Sequence, residues 1–337
     1  MNSIGDSAGV NAVPGISSKS SGQVSASGRS GGRTWNGTSL PVICGPTAAG
    51  KSVLALRLAD LRGASIISAD SRQVYRGFDI GTAKPDAGER RRVPHFGIDV
   101  VEPDERYTAA DWAASVHGWI ETITASGRTP LVVGGTGFYL RALFTPLFEE
   151  PEIDPARRAS VRDMLSSLSA EEIRRWCEAI DPARAPLGRA QRERAIEVAL
   201  ITGRRISELH LDRPRAAVMT ARYLVLDPGS SLSGSIAARI DGMLAAGWLD
   251  EVRSLAGRVE PDARAWTATG YDVMRRVVIG ELTLDRAREL VVVATRQYAK
   301  RQRTWFRHQL DGERVLRLDP RAPDVFDRAV AWFDWGR

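Results

Sequence analysis

Short apolar runs alternate with segments of helical periodicity along most of the chain. The runs at 40–44, 64–68, 129–133 and 221–226 are rich in Val, Ile and Leu, which is typical of strands buried inside a sheet. Between them, apolar residues recur every three or four positions, as they do on one face of a helix. Strands that alternate with helices predict an α/β fold built on a parallel sheet.

The same periodicity predicts where the helices lie. They are expected over 51–61, from 108 to 123, over 138–144, over 233–248 and over 283–307. The spacing of Thr108 and Asp111 resembles a capping box, a common helix start. Ser233 opens a helix whose apolar stripe extends to Trp248. The segment 79–99 has no regular pattern and is predicted to be a long loop.

Composition divides the chain into segments of different character. Residues 1–37 are rich in Ser and Gly and predict a disordered tail. Residues 153–215 show helical stretches without a strand pattern. They are therefore predicted to form a helical insertion, set into a P-loop NTPase-like α/β core of residues 38–152 and 216–320. Residues 321–337 are predicted to be a C-terminal tail.

The loop after the first strand carries the most informative motif. It matches GxxxxGK[ST] and stands between a strand and a helix, the setting in which this pattern binds phosphate. Its glycines let the backbone wrap an anion, and the amides of the helix N-terminus point into that wrap. The Lys51 amine adds positive charge, and the Ser52 hydroxyl suits an octahedral Mg²⁺ that also holds phosphate oxygens. The predicted diphosphate-binding residues are Gly45, Pro46, Thr47, Ala48, Ala49, Gly50, Lys51 and Ser52.

Two further strand ends predict the groups opposite this loop. The strand at 129–133 is followed by Gly-Gly-Thr-Gly, not by the acidic residue that P-loop kinases use to orient Mg²⁺. Because ligands of open α/β sheets bind at the carboxyl ends of the strands, Asp70 and Thr136 are expected to face the phosphate site. A carboxylate and a hydroxyl there suit a proton-abstracting transferase at least as well as an ATP user. The alternatives are that Asp70 orients Mg²⁺ and that Thr136 is a helix N-cap.

Charge patterning narrows the class of partner. The chain of 337 residues has a formal net charge of +6, which permits a polyanionic partner without requiring one. The segment 294–307 holds five cations, three aromatic residues and no acid. Such a pattern is expected of a surface that meets phosphates and unstacked bases. The alternative is a solvated helix face that Trp305 and Phe306 anchor in the core.

The remaining composition points to a cytoplasmic protein without a membrane segment. The two cysteines have no metal-ligand spacing and are typical of thiols in a reducing compartment. No apolar run is long enough to predict a membrane span, and no export signal is apparent at the N-terminus.

Four segments together resemble the bacterial tRNA dimethylallyltransferases, which prenylate adenosine 37 beside the anticodon. They are ISADSRQVYRG at 67–77, DIGTAKP at 79–85, VGGTGFYL at 133–140 and TRQYAKRQ at 295–302. The resemblance implies a P-loop-type core and an inserted helical domain that closes on the anticodon stem-loop. It also implies a monomer with a channel, which dimethylallyl diphosphate and the flipped adenine enter from opposite ends.

The resemblance further implies roles for single residues. Asp70, oriented by Thr136, would take a proton from the adenine amine. Lys51 and Arg239 would bind the diphosphate, and Ser52 would hold Mg²⁺.

The tRNA contacts implied by the resemblance are Asp70, Ser71, Arg72, Gln73, Thr136, Arg158, Gln191, Arg194, Gly270 and Tyr271. The chain departs from the family pattern at Gln191, where an arginine is usual, and at Thr269, where an isoleucine is usual.

Other functions share the phosphate-binding loop. An isopentenyltransferase that acts on free adenine nucleotides would need neither a helical insertion nor a basic, aromatic helix, so the pattern favours tRNA. A nucleoside or small-molecule kinase would need an arginine-rich lid over ATP, which 153–215 could supply. A P-loop switch protein is a more distant alternative, because the chain lacks the guanine-reading motif of such proteins.

Overall fold

A computed structural model describes residues 39–144, 154–211 and 219–335. The tail predicted over 1–37 lies outside the described residues, as do the ends of the predicted helical insertion.

One sheet of six strands forms the centre of the fold. Its strands are β1 Leu40–Cys44, β2 Ala64–Ser68, β3 His95–Phe96, β4 Thr129–Gly134, β5 Ala221–Leu226 and β6 Val315–Leu318. All neighbours pair in parallel, in the order β3-β2-β4-β1-β5-β6. The carboxyl ends of β1, β4 and β2 therefore lie next to one another, which is where an α/β sheet binds its ligand.

Helices connect these strands and cover both faces of the sheet. They are α1 Lys51–Arg62, α2 Ala87–Arg92, α3 Ala109–Ala125, α4 Gly137–Phe144, α5 Pro155–Ser166, α6 Ala170–Ile180, α7 Arg189–Thr202, α8 Ile206–Leu211, α9 Leu232–Ala245, α10 Trp248–Ala256, α11 Tyr271–Val278, α12 Leu284–Gln309 and α13 Val325–Trp335. Neighbouring residues of a strand point to opposite faces. Thus Val42 packs in the cluster that α3, α4 and α9–α12 complete, whereas Ile43 packs in the cluster completed by α1 and α13.

The predicted strands and the start of α3 are confirmed. The four predicted strands are β1, β2, β4 and β5. At the start of α3 the side chains of Thr108 and Asp111 each accept a hydrogen bond from the other residue's backbone amide, which is the capping box. Trp112, Val116 and Ile123 form its buried face, as the periodicity predicts.

Two local predictions were wrong. The segment 79–99 contains α2, which a capping box between Asp86 and Glu89 begins, and β3, which pairs with β2. The helix predicted to run to Trp248 is two helices. The break falls at Gly247, which takes the left-handed conformation with φ 92°, a common way to end a helix.

Strand β6, near the end of the predicted core segment 216–320, extends the sheet beside β5. The described part of the predicted C-terminal tail, 321–335, is not a tail, because α13 packs on α1 in the core. Phe333 is fully buried there, and the Arg57 guanidinium lies 4.1 Å from the centroid of the Phe326 ring. The Arg62 and Asp334 side chains form an ion pair at 2.7 Å.

The described part of the predicted insertion, residues 154–211, contains helices α5–α8 and no strand. These helices bury a cluster of their own, which includes Leu165, Ile173 and Ile196. In the described ranges no helix combines the length and apolarity needed to cross a membrane.

Candidate active site

The loop between β1 and α1 has the backbone shape of an anion cradle. Gly45 has φ 145°, and a Cβ there would lie 2.3 Å from the carbonyl oxygen of Leu226, so only glycine fits. Ala48 takes φ 60° and Gly50 takes φ 79°. The left-handed conformation is unfavourable for alanine and is found mainly where function maintains it. Successive amides in such a loop turn towards one concave surface.

The Lys51 amine lies within this cradle. Its Nζ donates to the carbonyl oxygen of Pro46 at 2.6 Å. Burial, with the Arg239 charge nearby, lowers the pKa of Lys51 to about 8, and the Asp70 carboxylate partly opposes that change. The amine is thus poised to gain an anionic partner.

Asp70 lines the same cavity as this lysine. A cavity of about 120 Å³ is lined by Lys51, Ser52, Asp70 and Arg239 together, so the structure brings these predicted residues to one place. The Asp70 Oδ1 accepts the Arg72 amide at 2.9 Å, which fixes the carboxylate at the end of β2.

A second cavity of about 70 Å³ adjoins the first. Both are lined by Thr47, Asp70, Thr82, Arg239 and Tyr298. The second is otherwise more apolar; its further lining includes Ile240, Met243, Trp248, Ala268 and Val291. Asp70 and Arg239 thus stand where a polar and a more apolar space meet.

Thr136 acts on the turn after Asp70. Its Oγ1 accepts the Ser71 amide at 3.1 Å. Within the described residues no hydrogen bond joins it to the Asp70 carboxylate. Any orienting effect of Thr136 on Asp70 therefore passes through the backbone of the turn.

The glycines beside Thr136 permit close packing. A Cβ at Gly134 would lie 2.2 Å from the Ala69 carbonyl oxygen, and one at Gly137 would lie 2.4 Å from the Trp305 ring. The Gly-Gly-Thr-Gly sequence therefore brings the end of β4 against the residue before Asp70 and the start of α4 against α12.

The sequence analysis did not identify two residues of α12 that belong to the site. Tyr298 lines both cavities, and Gln302 is buried beside the loop, where its Oε1 accepts the Thr47 amide at 2.8 Å. Their four-residue spacing, on one face of a helix, was the available signal. Both residues lie in the segment 294–307, which the sequence analysis interpreted as a surface that binds nucleic acid.

Arg72 and Gln73, two predicted tRNA contacts near Asp70, have different hydrogen-bond partners. Arg72 extends to the surface, where its guanidinium donates to the Thr267 hydroxyl at 2.6 Å. The Gln73 amide is already occupied: its Oε1 accepts from Ser68, and its Nε2 donates to the carbonyl oxygens of Thr82 and Ala83. In this conformation Gln73 supports the cavity wall and does not offer its amide to a base.

The predicted contacts in the helical segment surround one buried acid. Glu197 is buried and forms ion pairs with Arg158, Arg162 and Arg194. Arg162 is the exposed member of this arginine cluster. Gln191 lies apart from these pairs, at the start of α7, where its side chain accepts the Gly188 amide at 3.2 Å.

Gly270 and Tyr271 are core residues, and a fully buried Tyr271 cannot contact tRNA directly. A Cβ at Gly270 would lie 2.5 Å from the Trp248 ring. The Tyr271 hydroxyl donates to Glu251 at 2.6 Å and accepts the Gly81 amide at 3.1 Å. These residues therefore hold the 79–84 loop that lines the cavities.

We expect Tyr271→Phe to lower the free energy of unfolding by about 1–3 kcal/mol, because it leaves buried polar groups without their partner. Urea titration measures the change. Tyr107→Phe is the matched control, since the Tyr107 hydroxyl makes one hydrogen bond, to Ser115, in a half-buried setting. A Tyr271→Phe variant that is as stable as the parent but binds tRNA weakly would instead support a direct contact between Tyr271 and tRNA.

Comparisons with known proteins agree with one another. The family model described as IPP transferase matches residues 73–309, and one described as isopentenyl transferase matches residues 38–94. A tRNA dimethylallyltransferase of Deinococcus radiodurans is 41% identical over 283 residues, which are 81% of this chain and 91% of that protein.

Two solved structures share the fold. The full-length tRNA isopentenylpyrophosphate transferase from Bacillus halodurans has a TM-score of 0.62 and 31% identity, over 88% of this chain and 94% of its own. A eukaryotic dimethylallyltransferase acting on tRNA has a TM-score of 0.71 and 26% identity, over 87% of this chain and 78% of its own.

Proposed function

The chain belongs to the IPP transferase family, and on that basis we propose that it transfers the dimethylallyl group of dimethylallyl diphosphate to N6 of adenosine 37 in tRNA. The observation that carries the proposal is the cavity that Lys51, Arg239 and Asp70 line together. It combines cations for a leaving diphosphate with a carboxylate for a departing proton.

In the transfer, the bond between the allylic carbon and the diphosphate oxygen breaks, and a bond from that carbon to N6 forms. Negative charge grows on the leaving oxygens, where preorganised donors stabilise it most effectively. The loop amides, Lys51 and Arg239 supply those donors.

The adenine amine is a weak nucleophile, because its lone pair is delocalised into the ring. It therefore gains from a base that accepts its proton as the new bond forms. Asp70 fills this role, since its carboxylate lies between the two cavities and the Arg72 amide holds one of its oxygens. The more apolar cavity also limits the access of competing water.

The residues present fit Mg²⁺ held mainly by the substrate. The Ser52 hydroxyl and the Asp70 carboxylate line the same cavity, and Mg²⁺ is commonly bound by one or two protein oxygens together with substrate phosphates. Ser52 would be its direct ligand. Bound there, the ion would neutralise charge on the leaving diphosphate.

The tRNA surface combines two basic regions. The first is the arginine cluster around Glu197, whose Arg162 is exposed to solvent. The exposed Arg296 and Arg301 of α12 form the second region. An anticodon stem-loop would meet phosphate contacts on both. We further propose a monomer in the cytoplasm, since one chain supplies every site residue and both cysteines are free thiols.

We expect Arg162→Gln to reduce the slope of log Kd for tRNA against log salt by about one, the effect of losing one phosphate contact. Filter binding at several salt concentrations measures it. Arg174→Gln is the control, because Arg174 pairs with Glu171 and Glu178 outside the cluster. An unchanged slope for Arg162→Gln would remove the cluster from the tRNA surface.

The decisive assay supplies Mg²⁺ and labelled dimethylallyl diphosphate together with either tRNA or AMP. Label in tRNA that is lost when adenosine 37 is replaced by guanosine is the expected result. Label in AMP would instead indicate an isopentenyltransferase of free nucleotides, and label in neither would refute the transfer.

A further inference from the structure

The side chain of Gln302 joins two loops that β1 and β4 place side by side. Its Oε1 accepts the Thr47 amide at 2.8 Å, and its Nε2 donates to the carbonyl oxygen of Gly135 at 2.9 Å. One partner is a donor and the other an acceptor, so a single orientation of the amide satisfies both. The side chain is buried, where an unmade hydrogen bond is costly.

The surrounding backbone leaves room for this amide. A Cβ on residue 135 would lie 2.5 Å from Nε2 of Gln302, so the glycine is what allows the side chain to reach its partners. Beyond the ladder of β1 and β4, which ends with Cys44 opposite Gly134, no hydrogen bond between described residues joins 45–50 to 134–137. Gln302 is thus a polar link between the phosphate-binding loop and the loop that carries Thr136.

We propose that Gln302 is a positioning residue that sets which amides of the phosphate-binding loop face the diphosphate. The Thr47 amide is committed to Gln302, so the loop offers its ligand the amides that follow at the start of α1. Those amides have no partner within the helix. The identity of the ligand rests on the proposed function, whereas the hydrogen bonds do not.

The same helix lines the cavity beside Asp70. Tyr298 lies one turn before Gln302 on α12 and lines both cavities, as Asp70 does. Through these two side chains, α12 contacts both the anion cradle and the space beside the carboxylate that takes the proton. Alignment of these groups governs both diphosphate affinity and the rate of transfer.

The test compares Gln302→Met with Gln302→Glu. Methionine keeps the size but makes neither bond, so we expect the Kd of inorganic pyrophosphate to rise on the order of tenfold. Glutamate, when ionised, opposes the Gly135 carbonyl oxygen with a negative charge. A neutral carboxyl instead carries one donor and one acceptor, as the amide does, and burial favours that neutral form.

We therefore expect the ratio of Kd values, Gln302→Glu over the parent, to be near one at about pH 5.5 and several-fold higher at about pH 8.5. Titration calorimetry with pyrophosphate measures both. Because an ionised glutamate would also repel the anion directly, the uncharged Gln302→Met must weaken binding as well. Gln309→Met, at an exposed position near the end of the same helix, is the matched control and should bind as the parent does.

A ratio that does not change with pH overturns the proposal, even where Gln302→Met does not fold. Parent-like binding by Gln302→Met also overturns it. A parent that binds pyrophosphate but transfers no label to tRNA would refute the proposed function and leave the positioning role standing.

Discussion

Asp70→Asn is expected to lower kcat for dimethylallyl transfer by roughly 10²–10⁴-fold, the range typical of a lost general base. Asparagine keeps the shape of the side chain, and its Oδ1 can still accept the Arg72 amide that now holds the carboxylate. It cannot take the proton from the adenine amine. Single-turnover transfer of labelled substrate measures the rate, and filter binding should show tRNA affinity little changed.

Glu89→Gln provides the control, because Glu89 is a second carboxylate that lines the same cavity and its amide replacement can still cap α2. It should leave kcat close to that of the parent. Equal losses in both variants would attribute the effect to the charge of the cavity. An Asp70→Asn variant with near-normal turnover would show that the base is another group.

Lys51→Met is expected to lower kcat/KM for dimethylallyl diphosphate by roughly 10²–10³-fold, the effect of removing one donor from developing negative charge. The amine already lies in the cradle, beside the Pro46 carbonyl oxygen. Steady-state kinetics at saturating tRNA measure the change.

The pH dependence follows from the same amine. The pKa of Lys51 is lowered to about 8, so its charge is present below that pH and is lost as the pH rises through it. The affinity of the protein for pyrophosphate should therefore decrease above about pH 8, the pKa of Lys51 before an anion binds. A bound anion favours the charged amine and raises its pKa, so activity should decline at a higher pH than binding does.

Lys51→Arg separates charge from geometry, because arginine stays protonated throughout this range. Its pyrophosphate affinity should not fall between about pH 7 and pH 9. If the decline persists in both Lys51→Met and Lys51→Arg, a different group titrates.

Local sequence determined much of the sheet and the position of the cradle. Strands β1, β2, β4 and β5 are short apolar runs whose burial needs no distant partner to be recognised, and Gly45 through Ser52 follow β1 directly. The capping box at Thr108 is likewise local, since its two residues lie three apart. The predicted end of a helix was wrong where a single residue determines the backbone conformation, as Gly247 does between α9 and α10.

The hydrogen bonds and ion pairs that connect the site residues could not be predicted, because the residues that form them are distant in sequence. Gln302 binds an amide 255 positions earlier, and the Tyr271 hydroxyl accepts the amide of Gly81, 190 positions earlier. From polarity alone, both side chains would be expected at the surface. Arg158 was predicted as a phosphate contact, but its pairing with Glu197 shows only in the packed helices.

Helix α13 has a consequence for folding during synthesis. Strand β6 and helix α13 complete the sheet edge and cover α1, which begins at Lys51. While these residues are still inside the ribosome, the nascent chain exposes the apolar side of α1. The apolar side of α1 therefore stays uncovered until residues 325–335 have emerged, and a chain truncated before α13 would expose that hydrophobic surface.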